Sequence, residues 1–154
     1  MVKLSDLSPE NSQHLLDKDC PEFETSPFVA GSPLRVRRVA ILTTAGLHRR
    51  DDNNFDVSDL SYRVIPGDVQ LDDLVMTQAS VNFDRTGFHQ DINVVFPIDR
   101  LKELDANGTI GSIAKFHYAF MGAGSMPQDY EKTACDVAGF LKQDNVDAVF
   151  LTPV

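Results

Sequence analysis

The stretch that decides the fold is residues 113–154, IAKFHYAFMGAGSMPQDYEKTACDVAGFLKQDNVDAVFLTPV. Residues 113–120 are typical of a strand and residues 121–125 of a glycine turn. Residues 127–143 predict a helix with apolar side chains at i, i+3, i+4 and i+7. This stripe consists of Ala134, Val137, Ala138 and Leu141. Residues 147–154 predict a second, buried strand. The order is that of a βαβ unit, so we predict an α/β fold with a mostly parallel sheet and flanking helices.

The residues upstream add further elements to this sheet. Val36 to Thr43 ends in a continuous apolar run, which is typical of a parallel strand buried on both faces. Arg49 to Asp59 is predicted to be a charged loop, and Ser61 to Ile65 a second short strand. Residues 72–82 fit neither the helical nor the strand period, so their structure stays open.

One domain preceded by an N-terminal arm is expected. Residues 1–35 are polar and broken by prolines, and we predict an arm with a short helix capped at Ser8-Pro9. Residues 36–154 form the α/β domain. Within it Asn93 to Phe96 predicts a short apolar strand, followed by a helix from Ile98 to about Ala106 that Pro97 opens.

Composition excludes several classes of function. The net charge of −9 argues against nucleic-acid binding, which needs clustered Lys and Arg. Cys20 and Cys135 have no paired spacing, so neither a disulfide framework nor a cysteine metal site is expected. The sequence has no bilayer-length apolar run and no signal-peptide pattern, and this predicts a cytoplasmic protein without membrane contact.

Two turns at strand ends are candidate binding sites. The turn at Gly122, Gly124 and Ser125 precedes a helix, whose N–H groups and dipole favour a carboxylate or phosphate. The turn at Thr44 and Gly46 suits a carboxylate as well. A plain tight turn explains both patterns equally well.

Other polar residues are ambiguous. His117, inside a strand, is a candidate general acid or substrate contact, or else a structural histidine. Asp91 and Asn93 lie in a polar stretch that contacts substrate or forms a hydrogen-bond network; with His89 they supply too few ligands to predict a metal. Cys135 is expected to be a buried, inert helical cysteine, so the sequence holds no convincing nucleophile.

Several motifs in order resemble the selenoprotein B family, the B subunits of glycine, sarcosine, betaine and D-proline reductases. The resemblance covers roughly residues 37–154 and is greatest to the D-proline reductase branch, through the Val64 to Val69 segment. The motifs are Asp91-Ile92-Asn93, Phe96 to Leu104, Gly108 to Gly111, His117 to Gly122 and Asp147 to Val154. Ser80 to Asp84 departs from the family pattern, where more histidine is expected.

The resemblance implies a chemistry and a partner. In the family a selenocysteine or cysteine follows the strand that matches residues 148–154, and its selenolate or thiolate attacks the substrate's α-carbon in reductive cleavage. A partner subunit carries a pyruvoyl group that holds the substrate amine. We therefore expect an oligomeric reductase subunit whose nucleophile follows Val154, and a 154-residue chain that is incomplete and inactive alone.

The resemblance and the strand-end turns together suggest a substrate-binding set. Its members are Thr44, Gly46, Asp91, Asn93, His117, Gly122 and Gly124. No catalytic residue and no metal ligand is predicted within the chain. Two alternatives remain open at this point: a non-catalytic α/β module that binds a small carboxylate or phosphate at Gly122–Gly124, and an assembly protein that uses an exposed final strand.

Overall fold

The computed structural model describes residues 3–17, 19, 22, 24, 26, 28–80 and 83–154. Its helices are α1 (Pro9–Leu16), α2 (Thr86–Gln90), α3 (Ile98–Ala106) and α4 (Glu131–Gln143). Its strands are β1 (Arg38–Thr43), β2 (Leu47–Arg49), β3 (Tyr62–Pro66), β4 (Leu74–Met76), β5 (Ser112–Ile113), β6 (Phe116–Phe120) and β7 (Ala148–Thr152). Within these ranges no helix combines the length and apolar character needed to cross a membrane.

The main sheet has β1 at its centre. β7 pairs with β1 along one side, while β5 and then β6 pair with it along the other, and all four strands are parallel. β3 pairs antiparallel with β6 at the edge. The prediction of an α/β fold with a mostly parallel sheet is confirmed. The βαβ unit is β6-α4-β7, with β1 lying between its two strands.

The two faces of the sheet are covered by different helices. Alternate side chains of a strand point to opposite faces. Ile41 and Ala119 belong to the larger core cluster, which includes Ile98 and Leu101 of α3. Tyr118 and Phe120 pack instead with Val137 of α4. Helices therefore flank the sheet on both faces, and the predicted helices at 98–106 and in the final third of the chain are confirmed.

The strand predicted over residues 113–120 is interrupted. The Lys115 N–H donates to Asp144 Oδ2 at 2.6 Å, and its carbonyl accepts from the Gly67 N–H, so neither group reaches β1. The Ile41 N–H on β1 donates instead to His117 Nδ1 at 2.9 Å. An imidazole thus replaces a backbone acceptor in the ladder, which separates β5 from β6.

The prediction of a buried final strand is wrong for the described residues. Val149, Phe150 and Leu151 of β7 are 39%, 50% and 59% exposed. The reason is positional: β7 pairs with β1 on one side only and so forms an edge of the sheet. Its apolar sequence resembles that of an interior strand, but in the described sheet it is an edge strand.

Three local predictions also need correction. Residues 93–96 are not a strand, because the Asp91 carboxylate caps a 3-10 turn at Ile92–Val94. The predicted loop begins after Arg49 and not at it, because Arg49 is the last residue of β2. β2 pairs antiparallel with β4, which lies in the segment 72–82 whose structure the sequence left open. The final helix starts at Glu131 after a 3-10 turn, not at residue 127.

The N-terminal arm contains the predicted short helix. α1 begins at Pro9, and the Ser8 hydroxyl accepts from the Asn11 N–H at 3.2 Å. A serine at this position satisfies one of the donors that the first helical turn leaves free. The domain boundary near residue 35 stays a prediction.

Candidate functional site

Three parallel strands end at the same edge of the sheet. Thr44 follows β1, Met121 and Gly122 follow β6, and Val154 lies two residues beyond β7. Ligands of open α/β sheets bind outside the carboxyl ends of the strands. This edge is therefore the candidate site, and its geometry depends on how the three chain segments are joined.

Thr44 joins the ends of β1 and β7. Its hydroxyl accepts a hydrogen bond from the Val154 N–H at 2.9 Å, and its own N–H donates to the Thr152 carbonyl at 3.3 Å. The Thr152 hydroxyl in turn donates to the Val95 carbonyl at 3.0 Å, which fastens β7 to the turn before α3. The carboxyl end of β7 is thus held from two sides.

Gly122 and Thr44 are in direct contact. Gly122 has a φ of +72°, and a Cβ on it would lie 2.5 Å from Thr44 Cβ. Both observations require glycine, because other residues rarely adopt this φ and any side chain would collide with Thr44. The glycine serves close packing of two strand ends.

Gln78 is the residue that sequence reasoning missed. Its buried side-chain amide donates to the Thr44 carbonyl at 2.7 Å and to the Met121 carbonyl at 2.6 Å. Its Oε1 accepts from the Ser80 N–H at 3.0 Å. Gly46, with a φ of +63°, gives room for the Gln78 backbone, 2.9 Å from where its Cβ would stand. The segment 72–82 gave no periodic signal that singles out this glutamine.

The glycine turn before α4 is occupied by the chain's own groups. A Cβ on Gly124 would meet Ser58 Oγ at 2.6 Å, and the Ser58 hydroxyl donates to the Gly124 carbonyl at 2.9 Å. The Met126 N–H donates to the Asp129 carboxylate at 2.9 Å. An acidic side chain thus holds a position that an anionic ligand would take, and this geometry favours the plain-turn interpretation.

An apolar groove of about 850 Å³ lies between α4 and the sheet. Thr44 and Gly122 border it, as does Asp19 of the arm, while strand side chains and α4 line its walls. Of the predicted helical stripe, Val137 is buried, whereas Ala134 and Ala138 are exposed along this groove. Only Thr44 and Gly122 of the seven predicted binding residues line it.

His117 lies away from the groove, inside the other core. It is fully buried beside Phe96, with ring centroids 5.5 Å apart. Burial lowers its pKa to about 4, while Asp144 raises the value and Lys102 lowers it further. Since Nδ1 accepts from the Ile41 N–H, the neutral ring carries its proton on Nε2. These contacts are those of a structural histidine, and a substrate role for His117 stays a prediction.

Asp91 and Asn93 form a helix-capping network. Asp91 Oδ1 accepts from both the backbone and side-chain N–H groups of Asn93 at 2.9 Å, and these hydrogen bonds lower the Asp91 pKa. Asn93 Oδ1 accepts from the Asp99 N–H at 3.1 Å, in the first turn of α3. Their hydrogen bonds therefore fix the entry to α3, and their contact with substrate stays a prediction.

The cysteine on α4 is not buried as expected. Cys135 is exposed, because the helix turns this position away from Val137 and the sheet. Cys20 lies outside the described residues. In the part of the chain that the structure describes, no group of three or more His, Cys, Asp or Glu side chains is arranged to hold a metal ion.

The fold and this edge define an open, mostly parallel α/β domain with its candidate site at the strand ends. A family model described as glycine/sarcosine/betaine reductase selenoprotein B matches residues 21–154. The chain belongs to this selenoprotein B family, as its motifs indicated. No solved structure matches the chain.

Curated relatives are subunits of reductase complexes. The chain is 37% identical over 121 residues to the D-proline reductase subunit gamma of Acetoanaerobium sticklandii, covering 77% of this chain and 49% of the relative. It is 28% identical to the glycine reductase complex component B subunit gamma of Carboxydothermus hydrogenoformans, covering 86% and 32%. It is 27% identical to the betaine reductase complex component B subunit beta of Peptoclostridium acidaminophilum, covering 74% and 27%. The chain thus spans about half of the first relative and about a third or less of the others.

Proposed function

We propose that this chain forms part of a reductase subunit in which a selenol or thiol acts at the carboxyl end of β7. The proposal rests on one observation above all. The ends of β1, β6 and β7 are joined through Thr44 at the edge where open α/β sheets bind ligands. Relatives named as reductase subunits support a reduction, and we propose that it is the reductive cleavage of an amino acid or related amine.

The residues of this chain position the reacting group. Thr44 holds the backbone of Val154, and Gln78 holds the carbonyls of Thr44 and Met121, so the strand end has little freedom. A nucleophile gains reactivity when its neighbours keep it close to the attack geometry. We expect the selenol or thiol to follow Val154, in keeping with the family pattern.

The reaction needs groups that the described residues do not supply. Cleavage of the carbon–nitrogen bond, which releases an amine or opens the proline ring, is a two-electron reduction, and we propose an external dithiol as the reductant. We propose a partner subunit whose pyruvoyl group would supply a carbonyl to hold the amine of a substrate that carries a primary or secondary nitrogen. D-Proline is the first substrate to test, followed by glycine, sarcosine and betaine, because relatives carry these names. The cytoplasm stays the compartment that we predict.

Activity of the native complex tests the proposal. The complex is purified with its partner subunit, and consumption of each substrate is followed with and without dithiothreitol. Dithiol-dependent consumption of one of these substrates is expected; no consumption of any of them contradicts the proposal. Cys135→Ser is the matched control, since this exposed helical thiol lies outside the site and its loss should leave the rate unchanged.

Chemical labelling locates the nucleophile independently of the substrate. Native protein is reduced, alkylated with iodoacetamide at pH 7 and digested for mass spectrometry. We expect the fastest-reacting residue in the peptide that continues from Val154. Labelling confined to Cys135 and Cys20, or a native carboxyl terminus at Val154, speaks against a nucleophile at the end of β7.

A further inference from the structure

β7 has the composition of an interior strand but the position of an edge strand. In the parallel register Ala40, Ile41 and Leu42 of β1 lie beside Val149, Phe150 and Leu151 of β7. β1, paired on both sides, is largely buried, whereas the β7 residues are about half exposed. Apolar side chains on both faces are typical of parallel strands that have neighbours on both sides.

The opposite edge of the same sheet looks different. β3 is antiparallel to its neighbour, carries the charged Arg63 and ends in Pro66. Charge and proline are the means by which proteins prevent an edge strand from pairing further. β7, with the sequence Ala-Val-Phe-Leu-Thr, has neither. Of the two edges of the described sheet, only β7 is suited to accept another strand.

Among the residues that the structure describes, both faces beside β7 also lack cover, apart from Asp19 at the border of the groove. Val149 and Leu151 line the outer side of the apolar groove, whose inner side is Val137 and Leu141 of α4. Phe150 points to the opposite face, where α3 packs farther in. Contiguous apolar surface of this kind marks a binding surface. A strand added beside β7 extends the sheet but does not cover its face, so the groove between α4 and the sheet would stay open. We therefore expect a helix to cover the groove as well.

We propose that β7 is the docking edge for a parallel strand and a helix from the polypeptide that makes up the part of the relatives' length this chain does not span. The 121 matched residues cover 49% of the D-proline reductase subunit gamma, so about half of that relative has no counterpart in this chain. We propose a parallel strand because β7, β5 and β6 all pair with β1 in parallel, whereas the antiparallel β3 lies at the opposite edge. The geometry is the same whether that polypeptide is continuous with this chain or separate.

This inference rests on family membership and on the surface of β7, and not on the proposed chemistry. An inactive complex can therefore have a covered β7, and an active one can have an exposed β7.

Hydrogen–deuterium exchange on the native complex and on the 154-residue chain alone tests the docking edge. We expect the amides of residues 149–151 to exchange at least tenfold more slowly in the native complex, while those of β3 exchange equally in both. Equal exchange at β7 in the two samples overturns the proposal.

Photo-crosslinking identifies the occupant. Photo-leucine at position 151 of the native complex should join to a peptide similar to the part of the relatives that this chain does not match. A crosslink to the same region of a second copy, or to an unrelated protein, overturns the proposal.

A matched pair of variants separates docking from folding. Phe150→Lys and Phe116→Lys each replace a phenylalanine of similar exposure, 50% and 43%, on different strands of the sheet. Introduced into the native gene, Phe150→Lys should restore fast exchange at β7, and Phe116→Lys should not. Circular dichroism melting of the 154-residue chain checks that both variants fold. If folded Phe150→Lys keeps β7 protected, the docking edge is placed wrongly.

Discussion

At the scale of single residues, the candidate site depends on a contact with no space to spare. Gly122 and Thr44 are in contact where β6 and β1 end, and the Thr44 hydroxyl accepts a hydrogen bond from the Val154 N–H. The sequence pattern identified both residues, because glycine and threonine at strand ends are recognisable as turn chemistry. It did not identify their function, since binding a ligand and packing two loops both require the same residue types.

Gly122→Ala should destabilise the protein more than Gly108→Ala does. Both glycines have positive φ, +72° and +74°, but only Gly122 has a neighbour within 4 Å of its missing Cβ. The backbone cost of about 1 kcal/mol is common to both variants, and the collision with Thr44 adds about 2 kcal/mol. Urea denaturation at pH 7 measures the difference. Equal losses in the free energy of unfolding would show that Thr44 moves aside from the new Cβ without a measurable cost.

At the scale of elements, polar side chains join segments that are distant in sequence. Gln78, beyond β4, bridges the carbonyls that end β1 and β6. Asp144, at the end of α4, binds both Arg38 at the start of β1 and the Lys115 N–H before β6. These ties run across the sheet at its two ends. They could not be foreseen, because nothing local marks a glutamine or aspartate whose partner lies more than 25 residues away.

Gln78→Leu should cost about 1–3 kcal/mol, because it leaves two buried carbonyls without a donor. Gln70→Leu is the control, since Gln70 is exposed and its amide makes a long 3.4 Å hydrogen bond. Gln78→Glu adds a pH test. A carboxylate would face the carbonyls of Thr44 and Met121, so this variant should be less stable at pH 8 than at pH 5. Urea midpoints that do not depend on pH would contradict this geometry.

Asp144→Asn should destabilise the protein by about 1–3 kcal/mol at pH 7. Burial alone raises the pKa of Asp144, but hydrogen bonds from Lys115 and Arg38 lower it below its usual value. Its contribution is therefore present above pH 3.8 and is lost as the pH falls through the lowered value. Asp136→Asn is the control, because its ion pair with Lys132 on the surface of α4 should be worth under about 0.5 kcal/mol. Similar losses in the free energy of unfolding of the two variants would contradict the prediction.

At the scale of the whole molecule, the periodicity of apolar residues predicted the α/β layers but not the interruption between β5 and β6 or the exposure of β7. The α/β class, the helix at 98–106 and the unit β6-α4-β7 follow from apolar spacing, which is a local property. The interruption between β5 and β6 depends on Asp144 and Gly67, which take the Lys115 backbone away from β1. The exposure of β7 depends on which strands pair beside it. Neither the interruption nor the exposure can be read from the residues of the strand concerned. The role of His117 cannot be read locally either, because its partner Ile41 lies on another strand.

The stability of the whole molecule should fall as the pH drops from 6.5 to 4. Unfolded, His117 takes up a proton near pH 6.5, whereas in the folded chain burial delays this to about pH 4. The unfolded state therefore binds more protons in this window, so stability is full above pH 6.5 and decreases below it. At about 1.36 kcal/mol per pKa unit, the loss approaches about 3 kcal/mol at pH 4.

His117→Asn provides the comparison, because the asparagine side-chain carbonyl offers the Ile41 N–H an acceptor without a titrating group. The variant should be less stable than the wild type at pH 7, since it loses the packing of the ring on Phe96. Its urea midpoint should change less between pH 6.5 and pH 4. Loss of Asp144 charge sets in below this window in both proteins, so it does not distort the comparison. If wild type and variant lose stability in parallel from pH 6.5 to pH 4, the pKa of His117 is not lowered by its burial, and this prediction is wrong.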